Sequence, residues 1–306
     1  MKQHLYDLII IGGGPSGLTA GIYAGRSKLK TLLIAGNVPG GQIYLTYQVE
    51  NYPGFPESIT GPDLVDRLVA QVKRFGAELK EQEATKIDLS TQPYKVNIGD
   101  DTYETSSVII ATGSRNRLLG LESETRLMGR GVFVCATCDA ALYEELKVVA
   151  VGGGESALQE ALDITKFANE VVIVHRGSAF TATQYLIDEV ESNPKITTLM
   201  QHTVEEILGE DYVEGVRVRD RDTGEESVIK TDGVLIAIGW IPNTGLFKDQ
   251  LELTDQGYIV ADGVFTSKPG VFVAGDLNDT EYRQLVTACS SGCKAAIEVE
   301  KYLSKQ

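Results

Sequence analysis

The sequence predicts an α/β fold of two three-layer domains, the first of them discontinuous. The main observation is a repeat, because an apolar run followed by a glycine-rich turn occurs at Leu8 to Gly17 and again at Val148 to Ala157. Neither run alternates between apolar and polar residues, which is typical of parallel strands covered on both faces. The 306 residues also exceed one usual domain, for which the prior is about 150 residues.

Each copy of the repeat reads as a strand, a G-x-G-x-x-G or G-x-G-x-x-A turn and a helix, with a second strand about 20 residues further on. The first glycine permits a tight turn, the second lets the backbone approach a pyrophosphate, and the third position lets the helix pack on the strand. We therefore predict two Rossmann-like domains. The nucleotide-contacting residues are Gly12, Gly14, Pro15, Ser16 and Gly17 in the first copy, and Gly152, Gly154, Glu155 and Ser156 in the second.

Other apolar runs end in glycine, at Thr112-Gly113, at Gly239 and at Gly275-Asp276, and Thr112, Gly113, Gly275 and Asp276 are predicted to contact the cofactor. The carboxylate of Asp276 is suited to accept hydrogen bonds from a ribityl or ribose hydroxyl. The last of these strands needs a sheet to join, so the simplest arrangement is a first domain of 1–114 and 245–306 interrupted by a second domain of 115–244. Pro242 and Gly245 interrupt regular structure near the return.

Composition and charge exclude several classes of function. A net charge of -15 argues against binding to nucleic acid or to an anionic membrane surface. No apolar stretch has the length of a membrane span, and Met1 to His4 lead into the first strand without a cleavable apolar region, so we expect a cytoplasmic protein.

A redox-active thiol pair is predicted at Cys135 and Cys138, followed by Asp139. Two thiols at this spacing can close a small disulfide ring, and a helix predicted over Ala140 to Glu145 would lower the pKa of a thiol at its head. Asp139 either moves the proton that thiol–disulfide exchange requires or is a surface or capping residue. No metal site is expected, because the remaining candidates do not form a second ligand pair. These are Cys289, Cys293, His4, His175 and His202, of which the two cysteines are expected to be small buried residues of a helix.

From Leu8 almost to Tyr302 the chain resembles the bacterial low-molecular-weight thioredoxin reductases. Besides the glycine turn and the C-A-T-C-D motif, the resemblance is carried by Pro39 to Gln42, Val49 to Gly54, Gly275-Asp276 and Tyr282 to Gln284. It implies a homodimer, an FAD domain split around the domain that holds the thiols, and thioredoxin or a similar small disulfide protein as partner. It also implies that Cys138 is the flavin-side sulfur, that Cys135 attacks the partner disulfide, and that Asp139 moves the proton. The residues implied to contact FAD are Gly40, Gly41, Gln42, Asn51, Asp276, Arg283 and Gln284.

The electron donor is left open by the sequence. Members of the family that use NADPH have a basic cluster after the strand of the second repeat, whereas this chain reads His175-Arg176-Gly177, with Thr181 a few residues on. Arg176 alone would hold a 2′-phosphate weakly, and no Asp or Glu stands where a ribose of NADH would be held. Reduction by NADPH or NADH, reduction by ferredoxin, and an oxygen-dependent dithiol oxidase all remain open, as does a non-catalytic flavin redox sensor.

Overall fold

The computed structural model describes residues 5–46 and 48–306, and the chain divides into two compact units. One unit comprises Met1–Arg115 and Ile241–Gln306, and the other comprises Asn116–Trp240. Residues 1–4 of the predicted first domain, including His4, lie outside the described residues. The assignment of FAD to the first unit and of a nicotinamide nucleotide to the second stays a prediction.

The elements of the described residues follow in chain order. The strands are Leu5–Ile11 (β1), Thr31–Ile34 (β2), Glu78–Lys80 (β3), Lys86–Asp88 (β4), Tyr94–Ile98 (β5), Asp101–Ile110 (β6), Ser114–Asn116 (β7), Val132–Phe133 (β8), Lys147–Val151 (β9), Glu170–His175 (β10), Ile196–Met200 (β11), His202–Leu208 (β12), Gly215–Asp220 (β13), Glu226–Lys230 (β14), Gly233–Ile236 (β15), Trp240–Pro242 (β16) and Val271–Val273 (β17). The α-helices are Pro15–Arg26 (α1), Gly61–Arg74 (α2), Glu122–Leu127 (α3), Ala136–Asp139 (α4), Glu155–Ile164 (α5), Gln184–Ser192 (α6) and Leu285–Leu303 (α7). Short 3-10 helices occur at Gly41–Leu45, Ala140–Tyr143 and Gly245–Phe247.

The first unit is built on a sheet in the order β3-β2-β1-β6-β5-β4, with β17 also paired to β6. Strands β2, β6 and β17 join it in parallel, whereas β4 and β5 are antiparallel. Leu8 and Ile10 of β1 point into a core shared with the helices α1, α2 and α7, while Ile9 and Ile11 point into a core on the opposite face. Both faces of β1 are therefore covered, as the absence of alternation predicted.

The second unit repeats this plan with a sheet in the order β11-β10-β9-β15-β8, all parallel. Val148 and Ala150 of β9 pack with residues of α5 and α6, whereas Val149 and Val151 pack with the three-stranded antiparallel sheet β12-β13-β14. The unit therefore has three layers: helices, a parallel sheet and an antiparallel sheet. The predicted α/β class with two Rossmann-like domains is confirmed.

The predicted helix over Ala140 to Glu145 is wrong. The α-helix lies earlier, over Ala136–Asp139, and continues only as a 3-10 helix over Ala140–Tyr143. Glu145 then takes a positive φ of 61°, and Tyr143 stacks on Phe133 with 4.6 Å between ring centroids. Tertiary packing of the Tyr143 ring thus ends the helical segment after about one α-helical turn and one 3-10 turn.

Helix α7 ends the chain and packs against α1. Its buried face includes Leu285, Ala288, Cys289 and Ala295; Cys289 is buried as predicted, whereas Cys293 is only half-buried. Among the residues described, none of the helices combines the length and the apolar character needed to cross a bilayer.

The approach of α7 to α1 depends on Gly292. A Cβ atom at this residue would lie 2.0 Å from the carbonyl oxygen of Ser16, which is backbone and has little freedom to move. We therefore expect Gly292→Ala to lower the stability of the first unit by about 1–3 kcal/mol, because overpacking forces backbone shifts. Thermal unfolding followed by circular dichroism measures the effect.

Gly21→Ala in the middle of α1 is the matched control. Its methyl group would meet the side chain of Val72 at 3.5 Å, an ordinary contact distance, and alanine favours a helix over glycine by about 1 kcal/mol. Equal melting temperatures for the Gly292 and Gly21 variants would contradict the close approach of the two helices.

Candidate active site

A cavity of about 810 Å³ opens at the carboxyl end of the sheet in the first unit. This volume lies within the range of roughly 300–1,000 Å³ typical of ligand sites. Parallel strands bring their carboxyl ends to one edge, so residues that are far apart in the sequence meet here. The predicted residues that line it are Gly12, Gly14, Pro15, Ser16, Gly41, Gln42, Thr112, Gly113, Asp276, Arg283 and Gln284.

The glycine turn after β1 directs α1 at this cavity. Gly12 has a φ of 118°, and a Cβ atom there would lie 2.2 Å from the carbonyl oxygen of Ala111. Helix α1 begins at Pro15 after Gly14, which provides no side-chain cap. The N-terminus of a helix without a capping side chain is suited to hold a phosphate through its backbone N–H groups.

Four other predicted residues lie beside the cavity without lining it. Gly17 packs against the carbonyl oxygen of Gly12, Gly40 donates its N–H to Gly13 O at 2.8 Å, and the N–H of Gly275 donates to Ser291 Oγ at 3.0 Å. Asn51 donates its Nδ2 to Gln284 Oε1 at 3.4 Å, so it orients a side chain of the cavity wall.

Sequence reasoning missed Asn243, which also lines the cavity. Its Nδ2 donates to Thr112 O at 2.9 Å, and its Oδ1 accepts from Arg115 Nη1 at 2.9 Å. Asn37 and Glu83 were missed too, and Asn37 Nδ2 donates to Glu83 Oε1 at 3.3 Å. No sequence motif marks Asn37 or Glu83, and Glu83 reaches the cavity because it follows β3 on the carboxyl side of the sheet.

Asp276 is a half-buried acid in the wall of this cavity. Burial raises its pKa to about 6, while the neighbouring Arg283 acts in the opposite direction. Ser114 Oγ lies 3.5 Å from one of its carboxyl oxygens. A carboxyl group in this position is suited to bind the hydroxyls of a polyol chain. The glycine turn, the acid and the cavity volume together fit FAD.

The second unit carries a disulfide between Cys135 and Cys138, with 5.4 Å between their Cα atoms. Cys135 precedes α4 and is half-buried, whereas Cys138 is exposed. The carbonyl oxygen of Cys135 accepts the N–H groups of Cys138 and Asp139 at 3.3 and 3.2 Å. Because α4 has only four residues, its dipole contributes less to the acidity of the thiols than the predicted longer helix would.

Asp139 lies next to the disulfide in the sequence, and burial raises its pKa to about 6. Burial, and then the charge of Asp139, raises the pKa of Tyr143. A carboxyl with a pKa near neutrality is able both to give and to take a proton under physiological conditions. The structure is therefore compatible with the predicted proton transfer.

The second glycine turn, at Gly152 to Gly154, is contacted by the segment that follows β10. Thr181 donates its N–H to Gly153 O at 2.7 Å. The carboxylate of Glu155, at the start of α5, accepts the N–H and the hydroxyl of Thr183 at 2.8 and 3.0 Å. Ser156 is exposed beside it. This contact between Glu155 and Thr183 could not be read from the sequence.

At the end of β10, the charges differ from those of a phosphate clamp. Arg176 is exposed, and its carbonyl oxygen accepts from Arg221 Nη1 at 2.7 Å. Asp222, which accepts the amide of Gln201, brings a negative charge to the same corner. Arg221 is a further cation that the motif analysis missed, because it comes from the turn after β13.

The described residues contain no cluster of three or more His, Cys, Asp or Glu side chains placed to hold a metal ion.

Comparisons with known proteins agree over the whole chain. A family profile described as pyridine nucleotide-disulphide oxidoreductase matches residues 6–292. A thioredoxin reductase of Mycolicibacterium smegmatis is 44% identical, covering 100% of this chain and 99% of its own. A thioredoxin reductase from Rickettsia felis is 46% identical, and the match covers 97% of this chain and 98% of that relative. The crystal structure of thioredoxin reductase from Streptococcus pyogenes has 37% identity, covers 100% of both chains and has a TM-score of 0.95.

The raised pKa of Asp139 has a consequence for stability. Because the folded-state pKa of about 6 exceeds the ordinary value of 3.8, the acid favours folding most at low pH, and this advantage is lost as the pH rises through 6. Asp139→Asn removes the charge that is costly to bury. We expect it to be more stable than the wild type by about 1–3 kcal/mol at pH 8 and by little at pH 4.

Melting temperatures measured at both pH values test this expectation. Asp211→Asn, at an exposed aspartate of the same unit, is the control and should leave the melting temperature unchanged. If the difference in melting temperature between the Asp139 variant and the wild type did not grow with pH, the raised pKa of the Asp139 carboxyl would be contradicted.

Proposed function

We infer that this chain, which belongs to the pyridine nucleotide-disulphide oxidoreductases and within them to the thioredoxin reductases, passes electrons from bound FAD through the Cys135–Cys138 disulfide to the disulfide of a thioredoxin. The closed disulfide with the half-buried acid Asp139 beside it carries this proposal. The family membership supports it, since the relatives are matched over their full length.

The cavity of the first unit is the proposed FAD site. The N-terminus of α1 and the backbone of Gly12 to Gly14 would hold the pyrophosphate, and Asp276 would bind hydroxyls of the ribityl chain. Bound FAD supplies the capacity to take up an electron pair from a reductant and to pass it to a disulfide. Arg283, Gln284 and Asn243 would fix its orientation from the cavity wall.

The thiol steps take the separate roles of the two cysteines from the family resemblance. Reduction of the Cys135–Cys138 disulfide takes up two electrons and two protons and gives two thiols. Cys135, as a thiolate, attacks one sulfur of the partner disulfide; a mixed disulfide forms and a partner thiolate leaves. Cys138 then attacks the sulfur of Cys135, which restores the original disulfide and releases the second partner thiolate. Asp139 takes the proton from an attacking thiol and gives it to a leaving thiolate.

A nicotinamide dinucleotide is the proposed electron donor. The glycine turn at Gly152 to Gly154 and the start of α5 support a pyrophosphate site. Gly177 and Thr181 carry no charge, and Arg176 shares its corner with both Arg221 and Asp222, so no strong clamp for a 2′-phosphate is formed. We therefore propose that NADH serves at least as well as NADPH. None of the comparisons supports ferredoxin.

The remaining parts of the proposal rest on the family resemblance. The partner is a thioredoxin or a similar small disulfide protein, and the enzyme is a homodimer. The cytoplasm is the proposed compartment, since two of the four cysteines are free and the other two form the redox pair.

Replacing either cysteine of the pair by serine should abolish the reduction of thioredoxin, with a loss on the order of 10³-fold, because the electron pair then has no disulfide to pass through. Light-reduced enzyme supplies the electrons, so that the result does not depend on the donor, and new thiols on thioredoxin are counted. Cys293→Ser is the control and should retain full activity. A Cys135 or Cys138 variant that reduces thioredoxin at the wild-type rate would overturn the proposed function.

Anaerobic mixing with NADH or NADPH tests the donor. We expect NADH to bleach the oxidised flavin at least as fast as NADPH. The variant Thr181→Arg should bind NADPH severalfold more tightly than the wild type, because the added guanidinium makes a charge-assisted hydrogen bond to the phosphate, and should affect NADH binding less. If neither nucleotide bleaches the flavin while dithionite does, the nicotinamide donor is wrong.

A further inference from the structure

The N–H of Ala136, the residue after Cys135, has its hydrogen-bond partner on a different helix. Ala136 is 1% exposed, and it is the first residue of α4, where an N–H group has no partner within the helix. Cys135, at the N-cap position, provides no side-chain cap. The N–H of Ala136 instead donates to Glu160 Oε2 at 3.0 Å, across 24 positions in the sequence.

Glu160 is placed there by a helix whose position is well fixed. Helix α5 buries Ala157, Leu158 and Ala161 in the core of the second unit, all of them on the face beside β9. Glu160 is half-buried between this face and the solvent. The same helix begins at the second glycine turn, so one rigid element connects that turn to the redox-active disulfide.

We propose that Glu160 is a positioning residue for the dithiol, whose carboxylate holds the turn from Cys135 to Cys138 in the geometry of the closed disulfide. The hydrogen bond is present with the disulfide closed, and it satisfies a buried donor that would otherwise be costly to leave without a partner. The inference rests on the thiol pair and is independent of the proposed electron donor.

The charge of Glu160 acts in the same direction as its hydrogen bond. A carboxylate that is hydrogen-bonded to the residue after Cys135 disfavours a thiolate at the Cys135 sulfur. A dithiol whose thiolate is disfavoured is less stable relative to its disulfide, and the pair becomes a stronger reductant. Glu160 is thus a feature that suits a protein whose task is to deliver electrons to another disulfide.

The test is the equilibrium between dithiol and disulfide. The folded holoenzyme is equilibrated anaerobically with defined ratios of reduced and oxidised dithiothreitol, the thiols are alkylated, and the peptide that contains both cysteines is quantified by mass. Glu160→Ala should shift the equilibrium toward the dithiol by about fivefold or more, because both the hydrogen bond and the charge are lost. Glu160→Gln keeps an acceptor oxygen at the same reach and loses only the charge, so it should shift the equilibrium toward the dithiol by no more than about twofold.

Two further variants distinguish positioning from a general effect on folding. Gln159→Ala, at the exposed neighbouring residue of α5, should leave the equilibrium unchanged. Glu160→Asp keeps the charge but is one methylene shorter, so it should shift the equilibrium toward the dithiol even if the alanine variant does not fold. The proposal is overturned if the alanine or aspartate variant matches the wild type, if the glutamine variant shifts as far as alanine, or if the shift favours the disulfide.

Discussion

Both units depend on one constraint: a parallel strand in the middle of a sheet has to be covered on both of its faces. In β1 the side chains alternate between two cores, and β9 does the same in the second unit. The covering helix must run back beside its strand, so the chain has to turn sharply at the carboxyl end. The turn therefore needs glycine, and it leaves a helix N-terminus at the same sheet edge each time. The fold's requirement for burial thus creates, in each unit, a position suited to bind a phosphate.

This constraint explains why much of the architecture could be predicted from the sequence. Runs such as Leu8 to Ile11 are apolar throughout because both faces are buried, and the glycines follow because the turn requires them. Cys135 and Cys138 were identifiable because their chemistry depends on local spacing. By contrast, the contacts of Glu160 with Ala136 and of Glu155 with Thr183 join residues 24 and 28 positions apart. Such contacts have no periodic signature, because they depend on tertiary packing alone. The wrong helix over Ala140 to Glu145 has the same origin in the packing of Tyr143 on Phe133.

Two carboxyl groups lie beside the disulfide, and each is suited to a different role. Burial raises the pKa of Asp139 to about 6, so this group is able to exchange a proton during catalysis. Glu160 is engaged by the N–H of Ala136, so its contribution is to geometry and to the local charge. Helix α4 is too short to provide a strong dipole. Both acids disfavour a thiolate when they are ionised.

The two copies of the glycine motif differ at the first residue of the helix, and the difference suits their two proposed ligands. Pro15 in the first copy has neither a charge nor an N–H group, and the start of α1 lines an open cavity. Glu155 in the second copy binds Thr183 of the segment after β10, so that segment is held against the glycine turn by side-chain hydrogen bonds. A preformed cavity favours a cofactor that stays bound, because little has to be ordered when it binds. A segment that is held by a few exposed hydrogen bonds opens at a low cost in free energy. Such opening is required where a nucleotide enters and leaves in every turnover. Under the proposed function, the same backbone motif would hold a resident group in one unit and an exchanging substrate in the other, and the first helical residue, Pro15 or Glu155, is one point at which the two copies differ.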